Sequence, residues 1–215
     1  MNFFLSTIIM VTAMGFVLVP LFVSIFKFRS YTTALRIITL HLVLISFIGG
    51  YSAYLWALKK NNLPVLHIYT MVEFTTIMLF YAEVFKDKIK RKWTVAIIGG
   101  FISFCLINAE YIQNWFVFNT YPRALQSFVI ICACLYYYYQ ITHQTLYIQI
   151  EKSPIFWINT GFFIYFSGSF LLFMLSNYIL RMNSAFNMNV WMFHAFLSIL
   201  MYTLIAVGLW QTKKT

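Results

Sequence analysis

The stretch LPVLHIYTMVEFTTIMLFYAEVFKDKIKRK, residues 63–92, decides the fold. From Leu63 to Phe85 it is almost wholly apolar, and it stops at a basic run of Lys86, Lys88, Lys90, Arg91 and Lys92. About 20 apolar residues in a helix rising ~1.5 Å per residue cross ~30 Å of hydrocarbon, and flanking Lys or Arg hold the end in water. The segment reads as a transmembrane helix. Glu73 stands near its middle, where an ionisable group needs a reason.

The same pattern recurs along the whole chain. Apolar runs between charged or turn-rich interruptions predict seven spans, near 3–26, 37–58, 63–85, 93–112, 124–147, 155–180 and 190–211. The interruptions are KFRS, KKNNLP, KDKIKRK, NWFVFNTYPR, EKSP and RMNSAFNMN, each short enough to make successive helices antiparallel neighbours. With 62% hydrophobic and 9% charged residues in 215, the chain exceeds what a water-soluble core hides, and residues 1–215 read as one all-α seven-helix transmembrane domain.

The net charge of +10 does not point to nucleic acid, because the basic residues sit at the ends of apolar runs. Taking alternate connections, one side of the membrane holds Lys27, Arg29, Arg36, Lys86, Lys88, Lys90, Arg91, Lys92, Lys152, Lys213 and Lys214, eleven in all. The other holds four, Lys59, Lys60, Arg123 and Arg181. The side with the excess is expected to be cytoplasmic, which puts the N-terminus outside and the C-terminus inside. The first span lacks a basic n-region and is too long for a signal sequence, so no cleavage is expected. Cys105, Cys132 and Cys134 all lie within apolar runs and form no disulfide framework. Gly49 with Ala53, the Gly99–Gly100 pair, and Gly161 with Gly168 are expected at close helix contacts.

Glu73 lies about ten residues, roughly 15 Å, from the outer end of the third span. No Lys or Arg is expected at that depth, so the sequence predicts an uncharged carboxyl that shares hydrogen bonds inside the bundle. Tyr69 and Thr76 flank it on the same face. The sixth span carries Asn159, Ser169 and Asn177 on roughly one face and is the expected partner. Tyr51, Tyr54, Asn108, Glu110, Tyr111 and Tyr178 gather near the outer level of His67 and His194, and Glu110 and Asn177 with Glu73 are candidates to line a cavity open to the outside.

The four histidines form a second constellation. His67 and His194 lie about one turn from the outer face, and His41 and His143 about one turn from the inner face. No cofactor or metal is expected. The alternative is two bis-histidine haem b sites in an electron carrier. Interfacial histidines with wet ring nitrogens would look the same. No catalytic set is visible: the seventh span has no Lys for a retinal Schiff base, no HxxxH pair marks a membrane zinc hydrolase, and no Gly-x-Ser-x-Gly turn occurs. LYYYYQ, residues 135–140, puts tyrosines on every face of a helix and reads as aromatic packing. A non-enzymatic role is the expectation, with a small-solute carrier as a further alternative, although no broken half-helix pair marks a transport site.

FWINTGFFIYFSGSFLLFMLSN (156–177) and VWMFHAFLSILMYTLIAVGLW (190–210), with YTMVEF (69–74), resemble a loose group of uncharacterised bacterial seven-helix proteins that accompany sensor histidine kinases. The resemblance implies a sensory or regulatory component of a bacterial inner membrane that signals through a partner such as a histidine kinase. It transfers no catalytic residue.

Overall fold

The structure, a computed structural model, describes residues 9, 11–143 and 149–212. Every regular element among these is helical. The seven long helices are α1 (Leu18–Lys27, within an apolar span Val11–Ser30), α2 (Thr33–Ala57), α3 (Leu63–Val84), α4 (Arg91–Ile107, continued by a π-helical turn Asn108–Ile112), α5 (Thr120–Thr142), α6 (Pro154–Met174) and α7 (Ser184–Trp210). Each of the seven spans is long and apolar enough to cross a membrane. Positions 3–8 and 10 of the first expected span, 144–147 of the fifth, and Lys213 and Lys214 lie outside the described residues.

Local chemistry sets the boundaries. Lys59 ends α2 in the left-handed region at φ 56°, and Lys60 N donates to Leu55 O at 2.9 Å, the Schellman arrangement that closes a helix. Pro64 and Pro154 stand in first turns, where a missing N–H costs nothing. Asn183 caps α7 by accepting from Phe186 N at 2.8 Å, which starts that helix at Ser184 rather than near 190. The sixth helix ends at Met174, not 180, and a separate turn Ser176–Ile179 follows. The fifth begins at Thr120 instead of 124, because Pro122 is also tolerated in a first turn. That shift carries Arg123 out of the expected loop and into a helix.

One end of the bundle carries the connections 58–62, 113–119 and 175–183, and the other carries 28–32, 85–90 and 149–153. Helix α6 packs on both α5 and α7, α2 packs on α3, and α1 closes the ring by lying against α7 and α2. Helix α4 is peripheral and buries only Thr94, Phe101 and Cys105 along its length.

Small residues fall into three groups. Gly161 and Gly168 lie against α7, as expected: a Cβ on Gly161 would stand 3.1 Å from Met201 O, and one on Gly168 would stand 2.7 Å from Leu197 Cδ1. Gly208 is as tight, 2.6 Å from Pro154 O. Gly99 and Gly100 mark no close contact, since nothing lies within 4 Å of a Cβ built on either. Gly49 and Ala53 line a cavity instead of a helix seam.

Candidate functional site

Helix α3 stacks Thr70, Glu73 and Thr76 at one-turn spacing, all buried. The connection 113–119 does not stay at the end of the bundle. It descends until Asn119, 1% exposed, donates from Nδ2 to Thr70 Oγ1 at 2.9 Å. Helix α5 therefore starts level with Thr70, about 10 Å deeper than the start of α3. Non-helical backbone at such depth must find partners within the protein. His67 Nε2 donates to Val117 O at 3.1 Å, and Asn177 Nδ2 to Phe118 O at 2.9 Å. Asn108 Nδ2 donates to Gln113 Oε1 at 3.3 Å, and Gln113 Nε2 in turn donates to Thr120 Oγ1.

One turn into α5, Arg123 Nη1 meets Glu73 Oε2 in an ion pair whose side chains are 8% and 2% exposed. Gln126 Nε2 donates to the same carboxylate oxygen at 2.7 Å and accepts from Arg123 Nη1 at 3.2 Å. The guanidinium lies 4.1 Å from the Phe173 ring centroid and 5.9 Å from that of Tyr69. Its Nη2 reaches Tyr165 Oη at 3.5 Å, and that hydroxyl is hydrogen-bonded to His194 Nε2 at 3.0 Å. Residues from α3, α5, α6 and α7 thus meet in one polar cluster within the apolar bundle.

This corrects the expectation that no Lys or Arg reaches the depth of Glu73 and that its partner is the sixth span. Arginine keeps its proton in proteins, so a cation stands beside the Glu73 carboxyl group. The sixth-span polar residues go elsewhere. Asn159 Oδ1 accepts from Tyr81 Oη at 2.7 Å, with Cys134 Sγ 3.0 Å from the same hydroxyl. Ser169 Oγ is buried with no hydrogen bond among the described residues, and Asn177 holds the 113–119 connection. Thr76 donates to Val72 O at 2.8 Å and is hydrogen-bonded to His41 Nδ1 at 2.6 Å. Glu110 is exposed, its Oε1 accepting from Trp115 Nε1 at 3.0 Å, and Tyr51, Tyr54, Tyr111 and Tyr178 are exposed too, so these do not form the site.

The four histidines have different surroundings. Nε2 of His67 and of His194, the nitrogen that commonly ligates haem iron, is engaged in a hydrogen bond in each case. The His194 ring is enclosed by Tyr165, Phe173 and Trp191 with ring centroids 5.4–5.6 Å away. His41 is 1% exposed while His143 is exposed at the end of α5 and bonded to its own helix at Tyr139 O, 2.9 Å, so the two do not make a matched pair. No group of three or more His, Cys, Asp or Glu placed to hold a metal occurs among the described residues.

A cavity of about 320 Å³ opens over the cluster. Arg123, Tyr165, His194 and Tyr202 form its floor, and Tyr69 and Asn119 part of its wall. It falls within the usual size of small-ligand sites, about 300–1,000 Å³, and matches their make-up of apolar walls with a few placed polar groups. Of these six, Tyr69 and His194 were legible in the sequence. The signal for Arg123 was the spacing of Arg123 and Gln126, three apart like Thr70 and Glu73, on helices running in the same direction. Against protein-family models, curated proteins and solved structures, the chain finds no match.

Proposed function

We propose that this protein is a seven-helix sensory or regulatory component of a bacterial cytoplasmic membrane, in which a small ligand enters the cavity over the Glu73–Arg123 pair. The N-terminus is outside and the 85–90 end cytoplasmic, on an excess of Lys and Arg that is eleven to three once the buried Arg123 is left out. Occupancy is passed to a membrane partner such as a sensor histidine kinase, since the described helices carry no soluble output unit.

The observation that carries this reading is the cavity's contact with a buried, four-helix polar cluster. A ligand that touches Arg123, Tyr165 or His194 changes hydrogen bonds that tie α3, α5, α6 and α7 together. Such a cluster has discrete arrangements and is suited to bias one packing of the bundle over another. Beyond the pair, towards the 85–90 end, Phe74, Ile77, Phe80, Phe162 and Phe166 are each 0% exposed and form a filled core. That filling favours a relay over a carrier, which needs a path on both sides of its site.

The test is a thermal-unfolding screen of the purified chain against a library of small molecules, run beside Ser198→Phe, which fills the cavity. Compounds that protect the wild type but not the variant should also alter hydrogen exchange at residues 86–92 and 149–152. A screen in which no compound separates the two proteins, or in which exchange at that end never changes, overturns the proposal.

A further inference from the structure

We propose that the cavity is filled from the lipid phase, and that its ligand is a compact amphipath with an uncharged head group that both donates and accepts hydrogen bonds, as an alcohol or primary amide does. The inference rests on the ligand-binding reading above and specifies it.

The mouth points to lipid. Among the lining residues, Met14 of the first span, 57% exposed, and Gly50 of α2 face out of the bundle. Gly50 lies seven residues before the end of α2 at Ala57, about 10 Å below it, which is hydrocarbon depth in a core ~30 Å thick. The opening between the two helices therefore meets acyl chains. Gly49 and Ala53 keep its edge free of bulk, and a Cβ on Gly50 would touch nothing within 4 Å. The first span is irregular here as well. Pro20 has no N–H to give the carbonyl of Phe16, which accepts instead from Val19 N at 3.1 Å.

The floor defines the head group. Glu73 and Gln126 take Arg123 Nη1, while Nη2 has only the 3.5 Å contact to Tyr165, and Nε has no hydrogen bond among the described residues. Donors of Arg123 are thus open to an acceptor. Asn119 spends Nδ2 on Thr70 and leaves Oδ1 buried without a partner, so it calls for a donor. Charge selects against ions. Glu73 already balances Arg123, so an anionic head would bring uncompensated charge into a desolvated site, and a cationic one would face the guanidinium. The rings of Tyr69, Phe173, Trp191 and Tyr202 offer the surface for an apolar body.

The experiment places the full chain in lipid nanodiscs and compares decanol, decane, decanesulfonate and decyltrimethylammonium as probes in thermal unfolding. Decanol should raise the melting temperature of the wild type by several degrees more than decane or either ion, and the gain should vanish in Asn119→Leu and in Gly50→Trp, which plugs the mouth. Because those variants test folding as well, bromodecanol is added to the wild type and to Trp191→Phe, where it should quench an emission component present only in the former. Decanol acting no better than decane, a gain retained in both variants, or no quenching specific to Trp191 overturns the inference. If a water-soluble compound protects the wild type while decanol does not, only the lipid-phase inference falls. If neither protects, the ligand-binding reading falls with it.

Discussion

Removing either partner of the Glu73–Arg123 pair should destabilise the bundle by leaving the other buried without it. Arg123→Leu leaves Glu73 with the Gln126 hydrogen bond at 2.7 Å and no counter-charge. Breaking a buried ion pair from one side typically costs about 3–5 kcal/mol. The penalty in Arg123→Leu should therefore be about 3–5 kcal/mol. Glu73→Gln strands the guanidinium from the other side, with a penalty of similar size. The double variant Glu73→Gln/Arg123→Gln removes both charges and keeps amide hydrogen bonding, and should recover at least about 2 kcal/mol relative to the sum of the singles. Reversible unfolding in mixed micelles measures all of these. Additive singles, or singles that each cost under about 1 kcal/mol, would refute the pairing. Infrared difference spectra of wild type and Glu73→Gln should show an ionised carboxylate stretch, and a protonated carboxyl band would have the same force.

Three further outcomes are expected. Gly208→Ala should destabilise by about 1–3 kcal/mol, because its Cβ would stand 2.6 Å from Pro154 O, whereas Gly100→Ala, in open space, should stabilise by about 0.5–1 kcal/mol through helix propensity; thermal unfolding compares them directly. His67→Leu should cost about 1–2 kcal/mol by orphaning Val117 O, and protein purified from haem-replete cells should show no Soret band with or without that substitution. Reporter fusions at Arg91 should read cytoplasmic and tags at the N-terminus external, and the reverse result would invert the threading.

Much of the architecture was legible because a bilayer constrains sequence directly. Each span must be apolar over its whole length, and each end must return charge to water, so the runs around 63–85 and 93–112 declare themselves residue by residue. Close contacts were partly legible from small residues. Gly161 and Gly168 meet α7, but Gly99 and Gly100 touch nothing, because a glycine permits a close approach without requiring one. His67 and Asn177 were recognisable as candidate polar residues of the bundle. Their work of satisfying the carbonyls of Val117 and Phe118 was not, since those carbonyls appear in no side-chain pattern.

The site turned on depth. Linear reading puts NTYPR in a loop at the membrane surface and leaves Glu73 without a cation. In the fold, Pro122 sits in a first helical turn, the 113–119 connection sinks into the bundle, and Arg123 arrives beside Glu73 from 50 residues away. The sequence alone determined that the chain is a seven-helix membrane bundle with a carboxyl buried in its third span, because hydrophobic length and flanking charge are local properties. Only the tertiary structure decided that the carboxyl is half of an ion pair, because partnership between α3 and α5 depends on how far one helix is set below the other, and no local pattern records that offset.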